Sequence, residues 1–477
     1  MKQFDFGYSI KCFFSNCRII QRLIVRAEII FEALFSKPSG TIATETVSFK
    51  RVEAIPEISL CIAAGYRTNK MGFNNLKLSL IDFSKLSVKS WIVASPQTTR
   101  MNSLYNRCVK GYNPRYLITR IPFTGIGKPH CFQISKSGYF VSTNGFFTYF
   151  VNTATDQVKI FPHDFLEKEP KFYASQSCFS PDGQYWYFVR WTLSDWVNSI
   201  NGKKDTVRCE IGSVRLSDQN EEIFAEFDYI DNIHEIACSL DGRYLVFCSL
   251  KSEPYLPYPK QSYYRFPKGY LASHKAGGIK PQKIATFDLH TKKCWFSEVP
   301  VPTSSHIVFD PGESDVFYIS AHNLVFHHLS VFIEGEASLF KMRISDSCTV
   351  IEKSYTDAEL YRIFQHDVFI YKGETYLAVM SYTNKLFILY AKDMTLYKKV
   401  EVGPPIQLDF SKTGNILTKE NPDIFFSVNA SSDGRYIVLG TSGYFCAYDL
   451  EEEKLISLKN AMLDVGMGLA HTRPYGR

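Results

Sequence analysis

The sequence predicts an all-β protein, a seven-bladed β-propeller of four-stranded antiparallel blades with an N-terminal amphipathic helix. Three observations carry this. The 477 residues are 45% apolar and 15% aromatic, with 38 Phe and 29 Tyr, a composition rich in strand formers. A Ser-x-Asp-Gly-x-Tyr pattern recurs, each time ahead of an apolar run. Between its copies lie further short apolar segments separated by turn residues, the spacing of a repeat-built β fold.

The first element is the helix, expected over residues 16–37. Ile19, Ile20, Leu23, Ile24, Ala27, Ile30, Phe31 and Leu34 recur at helical spacing, and Pro38-Ser39-Gly40 stops the run. Charges at Lys2, Asp5, Lys11, Arg18, Arg22 and Arg26 interrupt the apolar character, which argues against a signal peptide or a membrane span. The helix is expected to dock on the main domain, with a membrane surface or a partner as alternatives. It divides the chain into a helical extension, 1–40, and a propeller, 41–477.

Next come "ISLCIAAGYRT", "LKLSLIDFSK" and "VKSWIVA", three strands of a blade without a clear innermost strand of its own. The tail "DVGMGLAHTRPYGR" or the segment "ETVSFKRV" is expected to supply it and close the ring. Six corners follow. "CFSPDGQYWYFVRW", "ACSLDGRYLVFCSL" and "NASSDGRYIVLGTS" are the close copies; "FQISKSGYFVSTN", "VFDPGESDVFYIS" and "VFIYKGETYLAVMS" are looser. Asp-Gly supplies a tight turn in which Gly takes a positive φ. Successive corners stand 45 to 71 residues apart, room for four short strands each.

Charge and cysteines exclude some function classes. The net charge of +6 is dispersed over the chain, so no nucleic-acid partner is expected. The twelve cysteines are scattered, without a C-x-x-C pair, and read as reduced thiols of a cytoplasmic protein. No P-loop, G-x-G-x-x-G, H-E-x-x-H or G-x-S-x-G stands in a supporting context.

Aligning the repeats on Ser135, Ser180, Ser239, Asp310, Ile370 and Ser431 gives Cys131, Gln176, Glu235, His306, His366 and Ser427 four residues earlier. These positions open the innermost strands at the channel mouth. His306 and His366, with Glu235 and Gln176, form a ligand set suited to a divalent transition metal, Mn, Fe or Zn, with open positions for substrate. His130 and His234, one residue earlier still, are candidates for acid/base work. Long segments at 192–206, 251–282 and 321–336 are expected as loops over the same face. Tyr263, Tyr264, Arg265, Lys268, His327 and His328 in them are candidate contacts to a small-molecule or oligomeric substrate.

The S-P-D-G corner resembles the WD40-like repeats of TolB-type propellers, which implies the fold and little about activity. Two metal-dependent propeller families show motif-sized likeness at the same register. The oligogalacturonate lyases carry S-P-D-G corners and hold Mn; the resemblance implies His306, His366 and Gln176 as ligands. "SHIVFDPGESDVFYI" and "QHDVFIYKGETYLAV" resemble two motifs of the carotenoid cleavage oxygenases, which hold Fe with four His. "VNASSDG", with Ser427 where a His belongs, resembles a third, and His471 their terminal ligand. The expectation is therefore a metal-dependent lyase or oxygenase. The alternative is a non-catalytic propeller scaffold that binds a protein or peptide partner on the loop-rich face.

Overall fold

The computed structural model describes residues 42–48, 58–68, 74–93, 131–143, 148–161, 171–174, 177–192, 207–229, 233, 235–248, 284–298, 301, 303–322, 324–327, 330–333, 338–361, 363–405, 425, 427–441, 445–458 and 472–474. The expected helix at 16–37 lies outside these residues. Among the described residues no helix is long and apolar enough to cross a membrane.

Six sheets are antiparallel meanders in which successive blade strands pair in order, the fourth with a separate hairpin inserted between its second and third strands, the strand order of a propeller blade. Their first strands are Cys131–Ile134, Cys178–Phe179, Glu235–Cys238, Thr303–Phe309, Ile363–Tyr371 and Ser427–Ala430. From the second blade to the sixth, successive first strands lie against one another and form the channel wall, while that of the first blade lies against residues 59–68 and 472–474. In the second blade an extra strand, Lys171–Tyr173, pairs with Tyr185–Thr192. In the fourth blade, the segment expected as a loop at 321–336 holds a hairpin, Leu324–His327 with Ser330–Ile333. Val325, Phe326, Val331 and Phe332 are strand formers, which accounts for the difference.

The remaining sheet has five strands, in the order Ile42–Ser48, Ser87–Val93, Asn74–Asp82, Ser59–Thr68, Thr472–Pro474. The expectation of seven four-stranded blades is thus corrected to six meander blades, the second carrying the added strand Lys171–Tyr173, and a separate five-stranded sheet. The two end segments weighed as rival closures are both used, one at each edge of this sheet. Trp91 fixes the sheet to the first blade: its ring centroid stands 6.1 Å from that of Phe140, and its Nε1 donates to Asp156 Oδ1 at 2.9 Å. Residues 472–474 lie against the inner strands of the first and sixth blades.

Apolar side chains alternate along the strands and fill the spaces between consecutive blades. Phe150, Phe161, Tyr173, Trp186 and Phe188 bind the first blade to the second. Tyr187, Val189, Ile236 and Phe247 bind the second to the third, and Val246, Ile307, Phe309 and Phe317 the third to the fourth. The pattern continues through Tyr318, Val368 and Phe387, then through Phe369, Tyr376, Val428 and Ile437. Among the described residues Cys178, Cys209, Cys248 and Cys446 are buried thiols outside any disulfide, and burial pushes that of Cys446 up to about 12.

The repeated corner is a hydrogen-bonded unit. Ser180, Ser239 and Ser431 each accept at Oγ the backbone N–H of the Tyr five residues on, at 2.9, 2.8 and 3.0 Å. Each hydroxyl donates to the Asp two residues on, at 2.5, 2.6 and 2.5 Å. Gly183, Gly242 and Gly434 follow with φ of 70°, 74° and 75°. In the third and sixth blades the next residue, Arg243 or Arg435, pairs with Asp288 or Asp449 at the end of the third strand. Burial opposes ionisation of both aspartates, but the arginine and following backbone N–H groups outweigh it and hold their carboxyls below the usual range. The fifth blade turns differently: Lys372 and Gly373, with φ of 50° and 83°, form a two-residue hairpin between Tyr371 and Glu374.

Two of these glycines separate backbone strain from crowding. A Cβ at Gly434 would stand 2.1 Å from the Ile370 carbonyl oxygen of the fifth blade, whereas a Cβ at Gly373 would meet nothing within 4 Å. Gly373→Ala is expected to cost about 1 kcal/mol, the penalty for a left-handed residue with a side chain. Gly434→Ala should cost about 3 kcal/mol or more, because two blades must also move apart. Urea unfolding of both variants checks the difference; equal losses would mean that the corners do not pack across blades.

Candidate functional site

Each inner strand pairs with its own blade on one side only. The other edge turns to the channel, where backbone N–H groups need acceptors. Side chains of the preceding blade supply them. Glu235 Oε2 accepts Ile307 N–H at 3.3 Å, Gln365 Oε1 accepts Val428 N–H at 3.3 Å, and Asp367 Oδ2 accepts Ala430 N–H at 2.8 Å.

Alternation along the strands tells which side chains face forward, toward the next blade. Ala237 packs forward, while Ile236 and Cys238 pack back. Val308 packs forward, while Ile307 and Phe309 pack back. In the fifth blade Phe369 packs forward and Val368 back. Two residues before Ala237 and Phe369 stand Glu235 and Asp367, which face forward likewise; His306, two before Val308, lies in an irregular stretch of ladder and meets Glu235 of the blade behind it. The sequence alignment placed His366 at the forward-facing position of the fifth blade, and the structure moves it out by one residue. Its Nε2 instead donates to the Tyr318 carbonyl of the fourth blade at 3.2 Å. The two-residue turn at Lys372-Gly373 is shorter than the Ser-x-Asp-Gly corner, so counting back from a shared corner slips there. Asp367 was missed for that reason; Tyr-Lys-Gly-Glu in place of Ser-x-Asp-Gly was the available signal.

Glu235 and His306 meet directly. Nδ1 of His306 stands 2.9 Å from Glu235 Oε2, with the two residues 6% and 2% exposed. The His306 N–H leaves an irregular stretch of ladder between Ser304 and Ile307 and donates to Ser320 Oγ at 3.2 Å. With Nδ1–H donating to the carboxylate, Nε2 is the basic nitrogen of the ring, the tautomer of histidines that accept protons or ligate metals.

These groups line a cavity of about 600 Å³ in the channel. Glu235, His306, Gln365, His366, Asp367 and Asn429 are on its wall with Ile236, Ile307, Val308 and Val368. Toward the corners it is bounded by Lys136, Pro181, Leu240, Pro311, Ile370 and Ser432. Leu240 and Ile370 are 51% and 47% exposed there, an apolar rim. Thus Glu235, His306 and His366 share one cavity, and Glu235 and His306 are joined by a hydrogen bond. Among the described residues no three His, Cys, Asp or Glu side chains form a cluster able to hold a metal. His130, Gln176, His234, Tyr263, Tyr264, Arg265, Lys268 and His328 lie outside the described residues. His327 ends the strand Leu324–His327, its backbone opposite Ser330.

No protein-family profile matches the chain, and no curated protein matches it in sequence.

The Glu235–His306 pair gives a direct test. Glu235→Ala leaves Ile307 N–H and His306 Nδ1 without their acceptor and should cost about 2–4 kcal/mol. A double-mutant cycle with His306→Ala, read by urea unfolding, should return a coupling of about 1 kcal/mol or more. Additive losses would mean that the pair does not tie the third blade to the fourth.

Proposed function

We propose that the protein is a non-catalytic propeller scaffold that binds a protein or peptide partner, and that the partner enters the central channel. One observation carries this reading: polar side chains of the inner strands are engaged across blades, around a cavity with an apolar, exposed rim. Glu235, Gln365 and Asp367 accept backbone N–H groups of the next blade, and His366 donates to a backbone carbonyl. Such groups position the wall of a binding cavity. The corners are of the WD40-like, TolB-type kind.

A second reading keeps the metal-dependent enzyme. The buried Glu235–His306 contact favours it, since a carboxylate-oriented imidazole is a competent base or ligand. Against it, among the described residues no three His, Cys, Asp or Glu side chains form a cluster able to hold a metal.

A displayed random-peptide library panned on the purified protein separates the two, with Leu240→Asp/Ile370→Asp as the comparison variant. Peptides are expected that lose about tenfold or more in affinity for the variant. Binders indifferent to these substitutions would contradict the scaffold reading. So would stoichiometric Mn, Fe or Zn found by elemental analysis and lost in His306→Ala, the outcome that the enzyme requires.

A further inference from the structure

We infer that the partner's entering segment carries a bulky apolar residue flanked by lysine or arginine, with the apolar side chain seated at the rim and the cations paired with Asp182 and Asp241. This rests on the scaffold reading and names the chemistry of its occupant. The apolar part of the rim spans four consecutive corners: Pro181, Leu240, Pro311 and Ile370, from the second blade to the fifth, all line the cavity. Leu240 and Ile370 are exposed, so a partner that covers them removes apolar surface from water.

Asp182 and Asp241 directly follow Pro181 and Leu240, and both are exposed. Asp182 accepts from the Ser180 hydroxyl at 2.5 Å and Gln184 N–H at 3.0 Å, and Asp241 from the Ser239 hydroxyl at 2.6 Å and Arg243 N–H at 3.0 Å. These donors carry no formal charge. The Ser180 hydroxyl, more than any other group, holds the Asp182 carboxyl below the usual carboxylate range. At Asp241 partial burial opposes ionisation, but the Ser239 hydroxyl, the Arg243 N–H and Ser314 of the fourth blade's corner outweigh it. Both carboxyls are therefore ionised at neutral pH. Among the described residues neither forms an ion pair, and the nearby Arg243 guanidinium turns to Asp288 instead. Lys136, the cation among the described lining residues, offsets at most one of the two charges. Their field also reaches inward: after burial, Asp241 and then Asp182 push the Cys238 thiol of the cavity wall up to about 12. An apolar seat beside two such carboxylates complements an apolar side chain between cations, whereas flanking acids would be repelled.

The test pans a displayed random-peptide library on the full chain and keeps the peptides that Leu240→Ser/Ile370→Ser weakens, a change that leaves the charge of the rim unaltered. Synthetic copies, read by fluorescence anisotropy, should carry Lys or Arg beside an apolar residue. Replacing those cations by glutamine should lower affinity about fivefold or more, and the loss should shrink in about 500 mM sodium chloride, where exposed pairs are screened. Asp182→Asn/Asp241→Asn, which keeps an oxygen for each hydroxyl and N–H, should weaken the basic peptides by a similar factor with an unchanged melting midpoint. Rim-dependent peptides without basic residues, or basic ones that bind the doubly substituted protein undiminished, would overturn this inference and leave the scaffold reading standing. The glutamine comparison needs no variant of the protein and stands even where the Asn substitutions fail to fold. Failure to find any rim-dependent peptide would remove both.

Discussion

Around a propeller's channel each blade presents the unpaired edge of its innermost strand, and a buried backbone N–H without an acceptor costs about 1–3 kcal/mol. Here the neighbouring blade provides the acceptors. Glu235 reaches Ile307, while Gln365 and Asp367 reach Val428 and Ala430. These bonds depend on alternation along the strand, because only side chains that face forward can cross to the next blade. They therefore fix the register of the inner strands, and with it the identity of every group on the channel wall.

The same logic operates at the corners. A serine, an aspartate and a left-handed glycine close the turns of the second, third and sixth blades internally, and Ser137 Oγ of the first blade carries a contact onward to Gly183 O at 2.5 Å. Between corner and channel mouth, aromatic and aliphatic side chains from facing sheets fill each gap. Blade packing thus supplies the bulk of the stability, while the polar bonds at the inner edge set alignment. Function is then drawn from the alignment: the third, fourth and fifth blades bring Glu235, His306 and Asp367 to one cavity.

The blades were legible in the sequence because Ser-x-Asp-Gly-x-Tyr is a local unit: its hydrogen bonds span five residues, and its glycine must take positive φ. The same locality made Glu235 and His306 readable, since their blades have full-length corners. Asp367 was not readable by the same count, because the fifth blade turns on Lys372-Gly373 and shifts the frame by one. Nor was the double use of the chain's end segments, since pairing between residues 59–68 and 472–474 is non-local and leaves no mark in either segment alone. The hairpin within 321–336 was hidden for another reason. Its apolar alternation was short, and its length suggested a loop.

Side chains of one blade thus hold the channel-facing backbone of the next. Native-state amide hydrogen exchange of Ile307, Val428 and Ala430 tests it most directly. The three amides should be protected to the level of ladder amides in the same blades, and Glu235→Ala should release Ile307 while leaving Val428 and Ala430 protected. Rapid exchange of these amides in the unaltered protein would contradict the claim.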